Sequence, residues 1–268
     1  MNDLRNGDCL IEMKNIPSKS VNLIITSPPY NMTKRKGGYA DKTKRYDEYN
    51  DWKPENEYLD WQIKIFNQFN ETLNDKGVIL YNFSYSIENP SLPYKLVDKI
   101  IKETNFTLVD TIIWKKKNGV PFPANKHRLS RIWEFIFVFV KKDQENDFDI
   151  YKKIKSISEK TNQKYYEVIY NYIEARNNDE TNDLNKATFS SEMVSKLLNI
   201  YANKKTLVLD PFMGTGTTGV ACKERGINFI GIEISNKQYD YAKNRINNVS
   251  NRKQKEWNEI MKDSDLLC

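Results

Sequence analysis

The apolar run Thr206-Leu207-Val208-Leu209 leads directly into Asp210-Pro211-Phe212-Met213-Gly214-Thr215-Gly216-Thr217-Thr218-Gly219. A second apolar run, Asn228-Phe229-Ile230-Gly231-Ile232, then stops on Glu233. Strand, glycine turn, short helix (217–224) and acid-ended strand in this order constrain the fold more than any other feature. Gly214 and Gly216 let the backbone come close to a ligand, and the helix start offers unpaired N–H groups. A carboxylate at Glu233 can accept both ribose hydroxyls of an adenosine. Gly214, Gly216 and Gly219 also approach the dinucleotide spacing G-x-G-x-x-G. No second oxidoreductase-like half accompanies them, however, and the loop begins Asp-Pro-Phe. The bland alternative is a β–α turn with glycines for geometry alone.

The remaining pattern agrees with an α/β fold. Val21-Asn22-Leu23-Ile24-Ile25-Thr26 is short, apolar and β-branched, as for a buried parallel strand. Residues 55–74 carry Tyr58, Trp61, Ile65, Phe66, Phe69 and Leu73 at helical spacing. Gly77 reads as a stop before the strand 78–83. A helix near 91–104 precedes strand 107–114, and 135–140 is an aromatic-rich strand. Helix 189–202 and the polar helix 236–247 flank the glycine loop. The expected architecture is a Rossmann-like, mostly parallel sheet with helices on both faces. Residues 143–184 interrupt it with ten acids against six bases, and read as an inserted helical or irregular recognition segment. This divides the chain into 1–142, 143–184 and 185–268, the outer pieces being halves of one domain.

Composition excludes several chemistries. Among 268 residues there is one histidine, His127, and three cysteines without CxxC spacing. A multi-histidine metal site is excluded, and a disulfide framework or structural zinc is disfavoured. No Gly-x-Ser-x-Gly elbow accompanies the histidine. No stretch of roughly 18 apolar residues suggests a membrane span, and the first residues do not resemble a leader. These features point to a reducing, cytoplasmic setting.

A second motif, Ser27-Pro28-Pro29-Tyr30, follows the strand 21–26 at its carboxyl end, where open α/β sheets bind ligands. Consecutive prolines stiffen the chain. The Ser27 hydroxyl and the Pro28 carbonyl can each accept one hydrogen of a planar amino group, and Tyr30 can stack on its ring. A structural Pro-Pro turn is the alternative reading.

Together the two motifs resemble the catalytic and cofactor motifs of S-adenosylmethionine-dependent DNA amino-methyltransferases. Their order, catalytic loop first, looks like the permuted beta class. Asn6-Gly7-Asp8-Cys9 resembles that class's acidic strand end near the cofactor adenine. Lys186-Ala187-Thr188-Phe189 resembles a divergent cofactor-side helix start, without the proline the family usually has there. The resemblance covers most of 3–142 and 185–247.

It implies methyl transfer from S-adenosylmethionine to the exocyclic nitrogen of a base flipped out of double-stranded DNA. Ser27, Pro28, Pro29 and Tyr30 would be catalytic. Asp8, Cys9, Asp210, Pro211, Phe212, Gly214, Gly216, Thr217 and Glu233 would bind the cofactor, with no metal. Serine at the first catalytic position leans toward N4 of cytosine, and N6 of adenine is the alternative. C5 chemistry is disfavoured because no cysteine follows a proline. A glutamine methyltransferase would carry the motifs in the reverse order. A non-catalytic cofactor-binding module is the competing class. The family also implies a possible homodimer and a restriction endonuclease acting on the same site. For phosphate contacts the basic residues are Lys34, Arg35, Lys36, Lys42, Lys44 and Arg45 in one loop. Lys115, Lys116, Lys117, Lys126, Arg128 and Arg131 form the second set, in an expected loop 115–131.

Overall fold

The computed structural model describes residues 2–31, 52–84, 89–119, 126–127, 129–177, 179 and 189–249. In chain order the elements are β1 (Asn2–Asn6), α1 (Cys9–Glu12), β2 (Val21–Thr26), α2 (Glu55–Thr72), β3 (Leu73–Phe83), α3 (Leu92–Glu103), β4 (Phe106–Lys116) and β5 (Trp133–Lys141). They continue with β6 (Ile154–Ile157), β7 (Lys164–Tyr166), β8 (Tyr172–Ala175), α4 (Ser191–Tyr201), β9 (Leu207–Asp210), α5 (Thr217–Glu224), β10 (Asn228–Glu233) and α6 (Asn236–Asn247). Eight strands form one sheet in the order β1-β10-β9-β2-β3-β5-β4-β8. The first five run parallel. β5 lies antiparallel to both β3 and β4, and β8 runs parallel to β4.

Side-chain alternation along the strands divides the core into two layers. Val78 and Leu80 of β3 join Val138 of β5 beneath α4, α5 and α6, where Met193, Leu197, Ala221 and Ile246 are buried. Ile79 and Tyr81 turn to the other face, with Phe66 and Phe69 of α2 and Leu96 and Ile100 of α3. Phe66 packs edge-on to Tyr81, Phe106 and Phe139. Such aromatic contacts add to area burial. The expected Rossmann-like sheet with helices on both faces is therefore the fold.

Three sequence expectations change. Gly77 does not stop a helix. α2 gives way to β3 at Leu73, and Gly77 lies inside β3, where the β2 register shifts between Val21 and Leu23. A side chain there would come within 2.6 Å of Leu73, so glycine marks a strand irregularity. The segment 143–184 is not helical in its described residues. Its β-branched and tyrosine-rich stretches pair as the β6–β7 hairpin, and β8 extends the main sheet. The Asp149 and Tyr151 N–H groups also donate to the Lys76 carbonyl of β3 and the Ile200 carbonyl of α4. Finally, Lys115 and Lys116 lie in β4 rather than in a basic loop.

Candidate active site

The chain leaves the neighbouring strands β2 and β9 toward opposite faces. After β2 it reaches β3 through α2, on the α1–α3 face. After β9 it reaches β10 through α5, on the opposite face. The loops after two such strands part and leave a crevice at their carboxyl ends. Both sequence motifs lie there. A side-chain bond joins them: Thr26 Oγ1, at the end of β2, donates to Asp210 Oδ1, at the end of β9, over 2.7 Å.

On the β9 side, Asp210 is fully buried. Its Oδ1 also accepts from the Phe212 N–H (3.1 Å), and its Oδ2 accepts from the Thr218 hydroxyl (2.7 Å). Burial raises its pKa to about 6, against the lowering effect of these three donors. The sequence reading made Asp210 a cofactor contact. With no exposed surface it is instead a strut between the two loops.

Glu233 is the other carboxylate. It is 8% exposed. Oε2 accepts from the Gly214 N–H (2.8 Å) and Oε1 from the Ser235 N–H (2.9 Å). Backbone N–H groups of Ser235, Gly214 and Ile234 bond a carboxylate that has about four lone-pair sites in all. Burial raises its pKa, opposed by those N–H donors. β1 and β10 are tied at their ends by Gly7 N–H to the Glu233 carbonyl (3.0 Å) and by the Asn6 amide to the same carbonyl (2.9 Å). Asp8 and Glu233 therefore share one corner of the crevice. Asp8 caps α1 by accepting from the Leu10 N–H. Cys9 is buried, and burial together with the Asp8 charge pushes its thiol up to about 12, so it stays neutral.

The glycines divide their work. Gly214 has φ of +54°, a left-handed turn that favours glycine, and presents its N–H to Glu233. Gly216 was expected to admit a ligand. A Cβ there would stand 2.9 Å from the Ala242 Cβ, and φ is +83°. Glycine at 216 therefore lets α6 pack on the loop. Thr217 accepts from Arg245 of α6 (3.0 Å), and Arg245 also pairs with Asp179. Pro211 is buried, while half-buried Phe212 packs edge-on against Trp61 of α2 at 5.7 Å.

On the β2 side, Pro28 and Pro29 are buried, and Ser27 and Tyr30 are half-buried. The buried Tyr58 hydroxyl of α2 donates to the Pro29 carbonyl (2.7 Å) and accepts from the Gln62 amide (2.8 Å). Tyr81 in turn donates to Gln62 Oε1. This chain pins the double-proline turn from beneath. Tyr30 lies 5.0 Å from Phe83, tilted. Its hydroxyl is 2.7 Å from Ser27 Oγ, 3.1 Å from Asn82 Oδ1 and 3.2 Å from Glu134 Oε2. Asn31, at a φ of +55°, exchanges two side-chain bonds with the Lys53 backbone.

The basic residues separate into groups. Lys115 pairs with Glu174 (3.0 Å), Lys116 with Glu134 (2.5 Å) and Lys117 with Glu192 (2.5 Å). These pairings compete with the phosphate role expected of them. Lys126 and Arg131 are exposed. Lys34, Arg35, Lys36, Lys42, Lys44, Arg45 and Arg128 lie outside the described residues, as do Lys186, Ala187 and Thr188.

Sequence reasoning missed Thr26, Tyr58, Asn82, Glu134 and Ile234. A polar Asn82 inside an apolar strand was the one available signal. Ile234, 44% exposed just beyond Glu233, offers an apolar surface at the strand end. Among the described residues, no cluster of histidine, cysteine and carboxylate side chains could hold a metal ion, and no helix is long and apolar enough to cross a membrane.

The family model described as DNA methylase matches residues 21–244. The chain belongs to the DNA methylase family. Type II methyltransferase M.BglII of Bacillus subtilis is 26% identical to this methylase over 262 residues, covering 90% of the chain and 68% of that protein. The DNA adenine methyltransferase YhdJ of Escherichia coli K12 is 26% identical over 274 residues, covering 96% and 86%. Two solved structures share the methylase fold. The M1.HpyAVI–SAM complex has a TM-score of 0.61 at 24% identity, covering 92% of this chain and 100% of the other. PvuII DNA methyltransferase (cytosine-N4-specific) has a TM-score of 0.69 at 18% identity, covering 97% and 93%.

Proposed function

We propose that this methylase transfers a methyl group from S-adenosylmethionine to the exocyclic amino group of a base flipped out of double-stranded DNA, with N4 of cytosine as the acceptor. The observation that carries this reading is the Thr26–Asp210 bond, which holds the Ser-Pro-Pro-Tyr turn against the glycine loop across one crevice.

The β9 and β10 strand ends fit the cofactor. Glu233 stands at the β10 strand end with acceptor capacity left for a ribose hydroxyl. Ile234 offers apolar surface beside it. Thr215 Oγ1 is buried with no hydrogen-bond partner among the described residues, a polar atom that a ligand can satisfy. Asp8 and Cys9 border the same corner. S-adenosylmethionine, when bound, supplies an electrophilic methyl group on a sulfonium.

The chain's own residues make the acceptor nitrogen reactive. An aromatic amino group delocalises its lone pair into the ring and is a poor nucleophile. Accepting its two hydrogens at Ser27 Oγ and the Pro28 carbonyl draws the nitrogen toward a tetrahedral shape and aims the lone pair. This is positioning with electrostatic stabilisation. Tyr30 supplies an aromatic face for the extruded base. Neutral serine as the first acceptor favours cytosine. Lys126 and Arg131, with the basic residues of 34–45, would contact phosphates. A homodimer and a restriction endonuclease of the same specificity complete the proposal, the second on the strength of the Type II name of M.BglII. Where its DNA substrate lies, the protein would work inside the cell.

The test is transfer of labelled methyl from S-adenosylmethionine to DNA, followed by digestion to nucleosides. Label in N4-methylcytosine is the expected result. Label in N6-methyladenine reassigns the base, and no transfer to DNA of varied sequence overturns the enzyme reading.

A further inference from the structure

Behind the Ser-Pro-Pro-Tyr turn lies a polar network from the antiparallel half of the sheet. Lys116 of β4 reaches Glu134 Oε1 of β5 at 2.5 Å. Lys116 also stands 5.1 Å over the Trp114 ring, which fixes its direction. Glu134 Oε2 accepts from Asn82 Nδ2 (3.2 Å) and from the Tyr30 hydroxyl (3.2 Å). Asn82 Nδ2 donates in addition to the Phe135 carbonyl (2.9 Å). That second bond sets the amide's orientation, so its oxygen is the atom that faces Tyr30 at 3.1 Å. Glu134 and Lys116 side chains are only 11% and 18% exposed, so solvent screens the pair weakly.

The donor inventory of these groups then decides a proton position. A carboxylate and an amide oxygen only accept. Both face the Tyr30 hydroxyl, which has one hydrogen to give. That hydrogen points toward Asn82 and Glu134. The 2.7 Å contact between Tyr30 and Ser27 therefore needs Ser27 as the donor. With its own hydrogen committed to Tyr30, Ser27 Oγ turns lone pairs outward.

We infer that Glu134, held by Lys116 and acting with Asn82 through the Tyr30 hydroxyl, is a positioning residue that makes Ser27 an obligate hydrogen-bond acceptor and so selects a base bearing an amino group over one bearing a carbonyl. The inference rests on the proposed amino-methyl transfer and adds a source for its selectivity. Reversing the chain would turn the Ser27 hydrogen outward, where it suits a 4-oxo group and repels an amino hydrogen. It would also set the phenol lone pairs against two acceptors. A neutral–neutral chain has no such bias, because each hydroxyl can rotate. The two fixed acceptors behind Tyr30 supply it, the charged Glu134 more strongly than the Asn82 amide. No proton leaves the network during turnover, and Glu134 touches neither base nor cofactor.

The experiment is a double-mutant cycle with Glu134→Gln and Tyr30→Phe, read in the methyl-transfer assay. Glutamine keeps the size of Glu134 but can donate to the phenol oxygen. Phenylalanine keeps the ring and removes the link. Each single change is expected to lower kcat roughly 10- to 100-fold, with KM for S-adenosylmethionine unchanged. The double variant should be little worse than Tyr30→Phe alone. Fold losses that multiply would overturn the relay, because Glu134 would then act by another route.

A second reading covers the case in which Glu134→Gln fails to fold. Duplexes carrying uracil or cytosine at the methylated position are compared for binding to the parent and to Tyr30→Phe. Relaxed discrimination against uracil in Tyr30→Phe supports the relay, and unchanged discrimination sinks it. If the parent transfers no methyl group to any amino nitrogen, the function proposal itself has failed. A parent that methylates DNA but shows multiplicative losses has lost only the relay.

Discussion

The glycine loop after β9 and the Ser-Pro-Pro-Tyr turn after β2 lie side by side, but different kinds of group hold them. In the glycine loop, backbone N–H groups of Gly214 and Phe212 donate to two buried carboxylates, Glu233 and Asp210. In the turn, side-chain hydroxyls and amides carry the load: Tyr58, Gln62 and Tyr81 beneath, Tyr30, Asn82 and Glu134 behind. A loop fixed by its backbone tolerates changes in neighbouring side chains as long as its turns survive. A turn fixed by side chains can be retuned one residue at a time. The first arrangement suits a cofactor that never varies, the second an acceptor whose hydrogen-bond pattern must be discriminated.

The sharpest way to separate the two is Tyr30→Ala. Turnover should fall by about 100-fold or more through lost stacking and orientation. S-adenosylmethionine affinity, measured by calorimetry, should stay within a few-fold of the parent. A comparable loss of cofactor binding would show that the two loops are one mechanical unit.

Asp210→Ala should damage both sides at once. It leaves the Phe212 N–H and two threonine hydroxyls without their acceptor and opens a small cavity. The expected loss is about 2–4 kcal/mol in denaturant unfolding, with weaker cofactor binding. Asp210→Asn should behave in the opposite sense. Asparagine can accept from Thr26 and Phe212 through its oxygen and donate to the Thr218 oxygen through its nitrogen. The parent carboxyl has a folded pKa raised to about 6 from the ordinary 3.8. Its favourable contribution is therefore full below pH 3.8 and is lost as pH rises through 6. The stability of Asp210→Asn relative to the parent should rise between pH 4 and pH 8, by about 2–3 kcal/mol at most. A flat difference would show that the donors around Asp210 balance its burial.

Gly216→Ala tests the backbone side alone. A positive φ and a Cβ 2.9 Å from Ala242 together should cost about 1–3 kcal/mol, read as a lower Tm. If Tm is unchanged, α6 yields more easily than its packing implies. The smallest effect belongs to Lys117→Ala. Its pair with Glu192 is exposed, so stability should change by about 0.5 kcal/mol or less. The salt dependence of DNA affinity should keep its slope. A slope reduced by about one would return Lys117 to the phosphate-contact set.

The same contrast explains what could be read from the residues alone. Strand, turn, helix and acid-ended strand follow one another within 207–233, and each is a local signal. The glycine loop and Glu233 were therefore legible, as was the double-proline turn at a strand end. The supports of that turn were not. Tyr30 meets Asn82 across 52 residues of sequence and Glu134 across 104. Only the antiparallel pairing of β5 with β3 and β4 brings them together. The strands of 143–184 were hidden for another reason: tyrosines and isoleucines spaced three or four apart suggest a helical or irregular segment, while β4, the partner of β8, lies far upstream. Gly216 shows a third limit, since a glycine kept for helix packing looks the same in sequence as one kept for a ligand.

The Thr26–Asp210 bond spans 184 residues, and this has a bearing on how the protein is made. At about 5–20 residues per second, β9 follows β2 from the ribosome after some 10 to 40 s. Over that interval β2 can pair with β3 on one side, but its other edge has no native neighbour. An open, apolar strand edge is a template for pairing with other chains. The contact that closes the crevice thus becomes available late in synthesis. Incomplete chains carry the Ser-Pro-Pro-Tyr turn without the strand that lies beside it, and their hazard is aggregation.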